Sequence, residues 1–176
     1  MGKDHVDRFL DQLEGIPDLD YEVEGIVDRI NGLMKRFRRD LELTLAEHGL
    51  SYADWKVLGS LWHEGSDHCS SPGELCADLE LSSGAMTSRL DRLERAGLLC
   101  RRPDPDDRRG VKVELTPAGS QAWLESTNAQ ARKEALVAGA LTKREQGQLN
   151  SLLRKLMLEF ERVESAKAEP PVAASA

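Results

Sequence analysis

The chain has 176 residues, of which 40% are hydrophobic and 31% are charged, so it is long enough to bury one core. Its three cysteines are odd in number and far apart, which argues against a disulfide framework and favours a reducing compartment. The first 15 residues are polar where a secretion signal would be apolar, and no apolar run approaches the roughly 18 residues of a membrane span. We therefore expect a cytoplasmic protein without a membrane partner.

The net charge of −7 is concentrated at one end of the chain. Residues 1–28 hold nine acidic and two basic side chains, whereas residues 82–112 hold eight basic and five acidic ones. A partner responds to the local electrostatic field more than to the total charge of the protein. The acidic total therefore does not exclude a nucleic-acid partner for the basic segment.

Two helices, separated by a break at GIPDLD, are predicted within residues 1–48. An acidic leader, residues 1–17, carries apolar residues at helical spacing and predicts a short amphipathic helix. Within residues 18–48, apolar residues recur every three or four positions from Val23 to Leu45 and predict one long helix with a wide apolar stripe. Such a stripe must be covered, and a second copy of the chain would cover it.

Residues 49–116 carry the start and stop signals of three short helices followed by a hairpin. Ser51 and Ser71 are each followed three positions later by an acidic residue, which is the pattern of a capping box. After the third helix, the runs LLCRR and VKVELT contain alternating apolar residues and predict two short strands. Three helices and a hairpin predict a winged helix-turn-helix DNA-binding domain.

Two more helices are predicted within residues 117–163, and the second has leucines along one face. The terminal helices have more apolar surface than a small winged domain can cover, so we assign them to a homodimer. Residues 164–176 have little apolar bulk and are expected to be a disordered tail. The predicted fold class is mainly α with a small β-hairpin wing, a winged helix-turn-helix flanked by dimerisation helices.

The third helix of the predicted domain, SGAMTSRLDRLERAG, has the features of a recognition helix. Short side chains let a helix lie deep in the major groove and touch base edges or the thymine methyl group. A plain surface helix with a serine cap would show similar polarity, but the hairpin that follows favours DNA binding. The candidate base-contacting residues are small or hydroxyl-bearing, with one arginine near the edge of the face: Ser82, Ser83, Gly84, Ala85, Thr87, Ser88 and Arg89.

Residues 81–119, LSSGAMTSRLDRLERAGLLCRRPDPDDRRGVKVELTPAG, resemble the recognition helix, the wing and the following helix start of the MarR family of bacterial transcriptional regulators. The resemblance extends more weakly over residues 21–163. It implies a homodimer that binds palindromic double-stranded operator DNA through the recognition helix in the major groove and the wing in the minor groove. It also implies a repressor whose DNA affinity responds to a small-molecule effector.

The resemblance gives roles to the wing residues. Arg109 would enter the minor groove, Asp107 would orient it, and Arg108 would contact phosphate or support its neighbour. A narrow minor groove has an enhanced negative potential that attracts an inserted guanidinium group. Phosphate contacts are further expected from Arg92, Arg101 or Lys112, and from the N-terminus of the helix that begins at Ser71, where backbone N–H groups suit an anion.

The small-molecule pocket of this family lies between the dimer helices and the winged domain. That placement implies a lining drawn from Arg36, His48, Tyr52, Trp55 and Trp62, together with Arg89. The leader helix and Arg89 are similar to those of the urate-responsive branch. That branch has an acidic residue directly after the position of Trp55, whereas this chain has Lys56, which argues against urate. Taken singly, Trp55 and Trp62 are each better explained as core residues.

Two other interpretations stay open at the level of sequence. His63, His68 and Cys69 lie close together in the predicted loop HEGSDHC and would suit a metal- or redox-sensing regulator, although their spacing matches no strong zinc pattern. A helical dimerisation or adaptor protein without DNA binding would show a degraded recognition helix and wing, and both are intact here. There is no phosphate loop, nucleophile elbow or metal triad, so we expect no enzyme and assign no catalytic residue, resident metal or cofactor.

Overall fold

The computed structural model describes residues 2–13, 15–64, 68–105, 107 and 110–168. The chain forms two compact units, Met1–Ala131 and Arg132–Ala176. The boundary between them lies inside a helix, whereas the sequence predicted a change of domain at residues 116–117. The helices and strands are α1 His5–Gln12, α2 Tyr21–Glu47, α3 Tyr52–His63, β1 Cys69–Ser70, α4 Pro72–Leu79, α5 Ser83–Arg95, β2 Leu99–Pro103, β3 Val111–Leu115, α6 Pro117–Ala138 and α7 Lys143–Ala168.

The capping boxes predicted from the sequence are confirmed. The Ser51 hydroxyl accepts the backbone N–H of Asp54, and the Asp54 carboxylate accepts the backbone N–H of Ser51. Ser71 and Glu74 form the same reciprocal pair at the start of α4. Each box satisfies two backbone donors that a helix N-terminus would otherwise leave without partners, which explains why these helices begin where they do.

The predicted hairpin is present, but it belongs to a three-stranded antiparallel sheet with the order β1-β3-β2. In the hairpin, Leu99 pairs with Leu115 and Pro103 with Val111. The prediction that the HEGSDHC segment is wholly a loop was wrong, because Cys69 pairs with Glu114 as part of β1. A strand of two residues has too little sequence to show an alternating pattern, and only pairing with β3 defines it.

A single apolar core in the first unit fixes the winged domain. It receives side chains from five helices and from both strands of the hairpin, and this burial stabilises the fold by roughly 2 kcal/mol for each large aliphatic side chain. The core positions α5 through the buried side chains of Met86, Leu90 and Leu93. The remaining core members are Leu45, Leu50, Val57, Leu58, Leu61, Leu75, Leu99, Val113 and Trp123.

Two glycines allow α6 to pack closely on the winged domain. A Cβ atom at Gly119 would lie 1.8 Å from the carbonyl oxygen of Leu98, so no other residue fits there without moving the backbone. A Cβ atom at Gly59 would lie 2.8 Å from Nε1 of Trp123. The α6 helix therefore runs against both α3 and the start of the wing, which ties this helix to the winged domain.

The leader helix α1 is shorter than the sequence suggested, but it is firmly attached to α2. Val6 is buried, and Arg29 of α2 forms ion pairs with Asp4, at 3.0 Å between Nε and Oδ2, and with Asp7. The backbone N–H of Asp7, together with the Arg29 guanidinium, lowers the pKa of Asp4 to about 2.

At the other end of the chain, the prediction of a disordered tail from residue 164 was wrong for residues 164–168, because α7 continues to Ala168. This stretch contains Glu164, Ala166 and Lys167, which favour helix, so an existing helix extends through it even though it has no apolar stripe. Among the described residues, no helix is both long and apolar enough to cross a membrane.

Candidate nucleic-acid interface

The first two turns of α5 present a surface of short side chains. Ser82 caps the helix by accepting the backbone N–H of Ala85, and Thr87 donates its hydroxyl to the carbonyl oxygen of Ser83 at 2.8 Å. The residues predicted to contact bases, other than the partly buried Arg89, are all exposed: Ser82, Ser83, Gly84, Ala85, Thr87 and Ser88. The buried residues of α5 point to the opposite side, so this surface is free of core packing.

In the second half of α5, Arg89 and Arg92 converge on one buried carboxylate. The Asp54 side chain is 1% exposed, and its Oδ1 lies 3.3 Å from Nη1 of Arg89 while its Oδ2 pairs with Nη2 of Arg92. Nη2 of Arg92 also donates to the Ser51 hydroxyl at 3.1 Å. These contacts join the recognition helix to the N-terminus of α3.

Arg101 of β2 is also engaged by carboxylates of the same unit. Its Nη2 lies 2.7 Å from Oδ1 of Asp91 and its Nη1 lies 2.7 Å from Oε2 of Glu94, both on α5. Burial disfavours the charged form of Arg101, but the hydrogen bonds to Asp91 and Glu94 outweigh it and raise its pKa. Of the predicted phosphate ligands, Arg92 and Arg101 thus already hold carboxylate partners when no DNA is present.

The N-terminus of α4, predicted as a phosphate site, is closed by Glu74. The Ser71 backbone N–H donates to Oε2 of Glu74 at 2.7 Å, and the Glu74 N–H donates to the Ser71 hydroxyl. These bonds, the Ser70 hydroxyl and the nearby Lys112 lower the pKa of Glu74 to about 2. A phosphate at Ser71 would have to share these donors with a charged carboxylate.

One ion pair and two backbone hydrogen bonds fix the base of the wing. Nε of Arg102 lies 2.5 Å from Oε2 of Glu114, which links the two hairpin strands. The Asp104 N–H donates to the carbonyl of Gly110 at 3.0 Å, and the Gly110 N–H donates to the carbonyl of Asp107 at 2.8 Å. The predicted groove residues Arg108 and Arg109 lie outside the described residues.

The residues proposed for a ligand pocket are not all brought together. A cavity of about 470 Å³ lies between α3, α4 and the first half of α6, and of the five candidates only Trp55 lines it. Trp62 does not line the cavity but stacks on Trp123, which does, with 5.1 Å between the ring centroids. Tyr52 instead lies under the Arg38 guanidinium. Two candidates have other contacts: Arg36 donates to the carbonyl of Gly32, and His48 is the C-cap of α2.

The candidates for metal or redox sensing have structural contacts. The His68 ring stacks on Trp62, with 4.8 Å between centroids, and its Nδ1 lies 3.1 Å from the Trp62 carbonyl oxygen. His63 contacts the Trp123 ring edge-on, and Cys69 is a free thiol in β1. Within the described residues, which exclude Asp67, no three His, Cys, Asp or Glu side chains are grouped to hold a metal ion.

Sequence reasoning missed the acidic partners of the arginines. Asp54 was recognised as a helix cap, but its contacts with Arg89 and Arg92 join residues 35 or more positions apart and leave no local pattern. Asp91 and Glu94 have a weaker signal, because their spacing of three places both on one face of the recognition helix, and only the structure shows that β2 lies beside that face.

The core-seated α5, its exposed surface of short side chains and the three-stranded wing define a winged helix-turn-helix DNA-binding protein. Comparison with known proteins specifies the family. The sequence model of the MarR family matches residues 50–111. The multiple antibiotic resistance protein MarR of Escherichia coli is 33% identical over 61% of this chain and 73% of its own length. The regulator PecS of Dickeya dadantii is 29% identical over 80% of this chain and 84% of its own.

The fold agrees with that assignment. The crystal structure of an E. coli MarR mutant complexed with operator DNA superposes with a TM-score of 0.60 and 31% sequence identity, covering 79% of this chain and 98% of the other. The apo form of wild-type E. coli MarR superposes with a TM-score of 0.65 and 31% identity over 73% of this chain and 93% of that one. The chain belongs to the MarR family of transcriptional regulators.

The Glu74 carboxylate gives a pH-dependent contribution to stability. Its folded-state pKa of about 2 lies below the ordinary 4.5, so the contribution is complete above 4.5 and is lost as the pH falls towards 2. Glu74→Gln keeps the capping geometry and removes the charge. Because the side chain is largely exposed, we expect a melting temperature about 1–2 °C below wild type at neutral pH, with the difference vanishing near pH 2.

Thermal unfolding followed by circular dichroism across this pH range measures the effect. Glu161→Gln, at an exposed position of α7, is the control with the same charge change. A Glu74→Gln difference that stays constant with pH would contradict the assignment of the stabilisation to the charged carboxylate.

Proposed function

We propose that this protein is a homodimeric MarR-type regulator that binds a palindromic operator through α5 in the major groove and the wing in the minor groove. The observation that carries the proposal is the exposed row of short side chains on the first half of α5, opposite its buried face. Short side chains let a helix approach base edges closely, and serine and threonine hydroxyls can donate to or accept from either base pair. The main role of the protein is then repression, released by a small molecule.

The wing supplies the second contact of the proposed complex. Arg109 follows Asp107 in a segment whose base is fixed by the β2–β3 pairing and by the Asp104–Gly110 backbone contact. A rigid base lowers the conformational entropy lost when a long side chain enters a groove. We assign Arg109 to the minor groove, with Asp107 orienting it and Arg108 in a supporting role.

Arg109→Ala tests the wing contact. We expect the affinity for a palindromic duplex, selected from a random pool by the wild-type protein, to fall about tenfold or more, because one groove contact contributes about 1–3 kcal/mol. The slope of log affinity against log salt should also become shallower by about one. Fluorescence anisotropy at several salt concentrations gives both quantities.

The control is Arg102→Ala, which removes the same charge from the base of the wing, where the arginine is held by Glu114. Circular dichroism should show both variants folded. Wild-type operator affinity in Arg109→Ala would overturn the wing assignment.

The dimer is supported by apolar side chains that the single chain leaves exposed. On α7, Leu152, Met157 and Phe160 are 58%, 59% and 66% exposed. On α2, Ile26 and Met34 are 51% and 63% exposed. Monomeric proteins rarely expose long apolar rows, and a homodimer is the usual way to cover them.

Leu152→Glu combined with Phe160→Glu tests the dimer. Sedimentation velocity should give twice the 19.5 kDa chain mass for the wild type and the single-chain mass for the double variant. Arg154→Gln, on the polar side of the same helix, should remain dimeric. If the wild type sediments as a single chain at micromolar concentration, the homodimer is excluded.

We place the effector in the cavity between α3, α4 and α6. Trp55 and Trp123 supply aromatic walls, and the carboxylates of Glu64 and Asp78 line the same space with the single ammonium of Lys56. Asp78 accepts the Ser60 hydroxyl at 2.8 Å, which leaves its negative charge in place. An aromatic ring with a positive charge fits these groups, through stacking on indole and attraction to the carboxylates.

Benzoate and benzamidine are a matched pair of probes, flat and of equal size but opposite in charge. We expect benzamidine to bind with a dissociation constant on the order of 1 mM, as suits so small a ligand, and to lower operator affinity. Glu64→Gln should weaken benzamidine binding severalfold. Isothermal titration calorimetry measures the binding, and equal or tighter binding of benzoate would contradict the proposed ligand charge.

A further inference from the structure

Two of the three arginines on the second half of α5, Arg89 and Arg92, contact a buried acid. Arg89 is 22% exposed and Arg92 is 49% exposed at the side chain, and both contact Asp54, whose side chain is 1% exposed. Two residues at the N-terminus of α3, Ser51 and Asp54, thus hold two cations of the recognition helix.

A buried carboxylate of this kind requires compensation. Removing a charged carboxylate from water costs several kcal/mol unless cations and hydrogen-bond donors replace the water. Asp54 has both, because the Ser51 N–H at 2.8 Å and the Ser51 hydroxyl at 2.6 Å donate to it in addition to the two guanidinium groups. The cations that compensate Asp54 are therefore committed to it.

A helix cap alone does not require this arrangement. The capping box of α3 needs only a side-chain acceptor for the Ser51 N–H, which an asparagine oxygen also supplies. The negative charge of Asp54 has a separate consequence, since it offsets the positive charge that α5 would otherwise present beside the DNA backbone.

We propose that Asp54 is a positioning residue that determines the specificity of DNA binding, by holding Arg89 and Arg92 against α3 and withholding them from phosphate. This inference rests on the proposed operator binding. Attraction to phosphates is independent of sequence and supplies essentially all of the binding to a scrambled duplex but only part of the binding to an operator, so each withheld cation lowers non-specific affinity more than specific affinity. Discrimination then depends on the short side chains in the first half of α5 and on the wing.

Asp91 and Glu94 hold an arginine of the wing in the same way. They hold Arg101 at 2.7 Å each, so three arginines near the proposed interface face three carboxylates. Arg92, which the sequence assigned to phosphate, is on this view an internal partner of Asp54.

Asp54→Asn is the direct test, because it keeps the size and the capping acceptor and removes the charge. Affinities are measured for the selected palindrome and for a scrambled duplex of the same composition, over a series of salt concentrations. We expect the scrambled duplex to bind about five- to tenfold more tightly than to wild type, with a salt slope steeper by about one to two. The ratio of the affinity for the palindrome to the affinity for the scrambled duplex should therefore fall.

Two controls test whether the effect comes from the charge at residue 54 in particular. Asp18→Asn makes the same charge change in the exposed turn between α1 and α2, at a left-handed backbone position that asparagine tolerates, and should leave both affinities unchanged. Asp54→Glu restores the charge in a common capping-box form and should bring the ratio back towards wild type. A purely structural role for Asp54 would change the melting temperature without changing the salt slope.

Arg92→Gln tests whether Arg92 is withheld from phosphate even if Asp54→Asn does not fold. Under the proposal, it leaves the affinity for the scrambled duplex and its salt slope as in wild type. A loss of affinity with a slope shallower by about one would show that Arg92 binds phosphate and would overturn the proposal. Unchanged scrambled-duplex binding in a folded Asp54→Asn would overturn it as well. A wild-type protein that does not distinguish the palindrome from the scrambled duplex would instead refute the proposed operator binding.

Discussion

The rotation of α5 about its own axis is set by three buried side chains, and the rest of the interface depends on it. Met86, Leu90 and Leu93 are each no more than 2% exposed and lie within the core of the first unit. Turning the helix by one residue would bury polar groups and expose leucines, at a cost of several kcal/mol. The core thus selects which residues of α5 face outward.

Electrostatics near this helix are balanced within the protein. An acidic chain with a basic segment suggested an open cationic surface, but Arg89 and Arg92 are paired with Asp54, which is distant in the sequence, and Arg101 is paired with Asp91 and Glu94. Paired arginines contribute less to long-range attraction than unpaired ones, because the field of the carboxylate opposes theirs. The proposed assignment of DNA-binding specificity to the short side chains of α5 and to the wing follows from that balance.

The connection between the DNA-binding domain and the helix that leaves it is close and rigid. Gly119 packs on the carbonyl of Leu98, and the buried hydroxyl of Thr44 donates to Oε1 of Gln130 at 2.9 Å between α2 and α6. The cavity assigned to the effector lies against this connection and is lined by Trp123 of α6. A ligand there could shift a population of conformations only to the extent that it binds one of them better.

Much of the architecture follows from local signals in the sequence. Capping boxes at Ser51 and Ser71, helical periodicity and the alternating strands of the hairpin act over a few residues, and so the helix boundaries and the wing were predicted closely. The exposed face of α5 was predictable for the same reason. Strand β1 and the helical extension to Ala168 were not, because pairing and helix propagation depend on neighbours rather than on a pattern of their own.

The sequence by itself determined the elements of this protein other than β1 and the end of α7, its family resemblance and the face that α5 presents, since each depends on periodicity, caps or a contiguous motif. Only the tertiary structure decided the partners of the charges. The pairing of Asp54 with Arg89 and Arg92 joins residues far apart in the chain, and it forms because burial removes the carboxylate from water and leaves the guanidinium groups to compensate it.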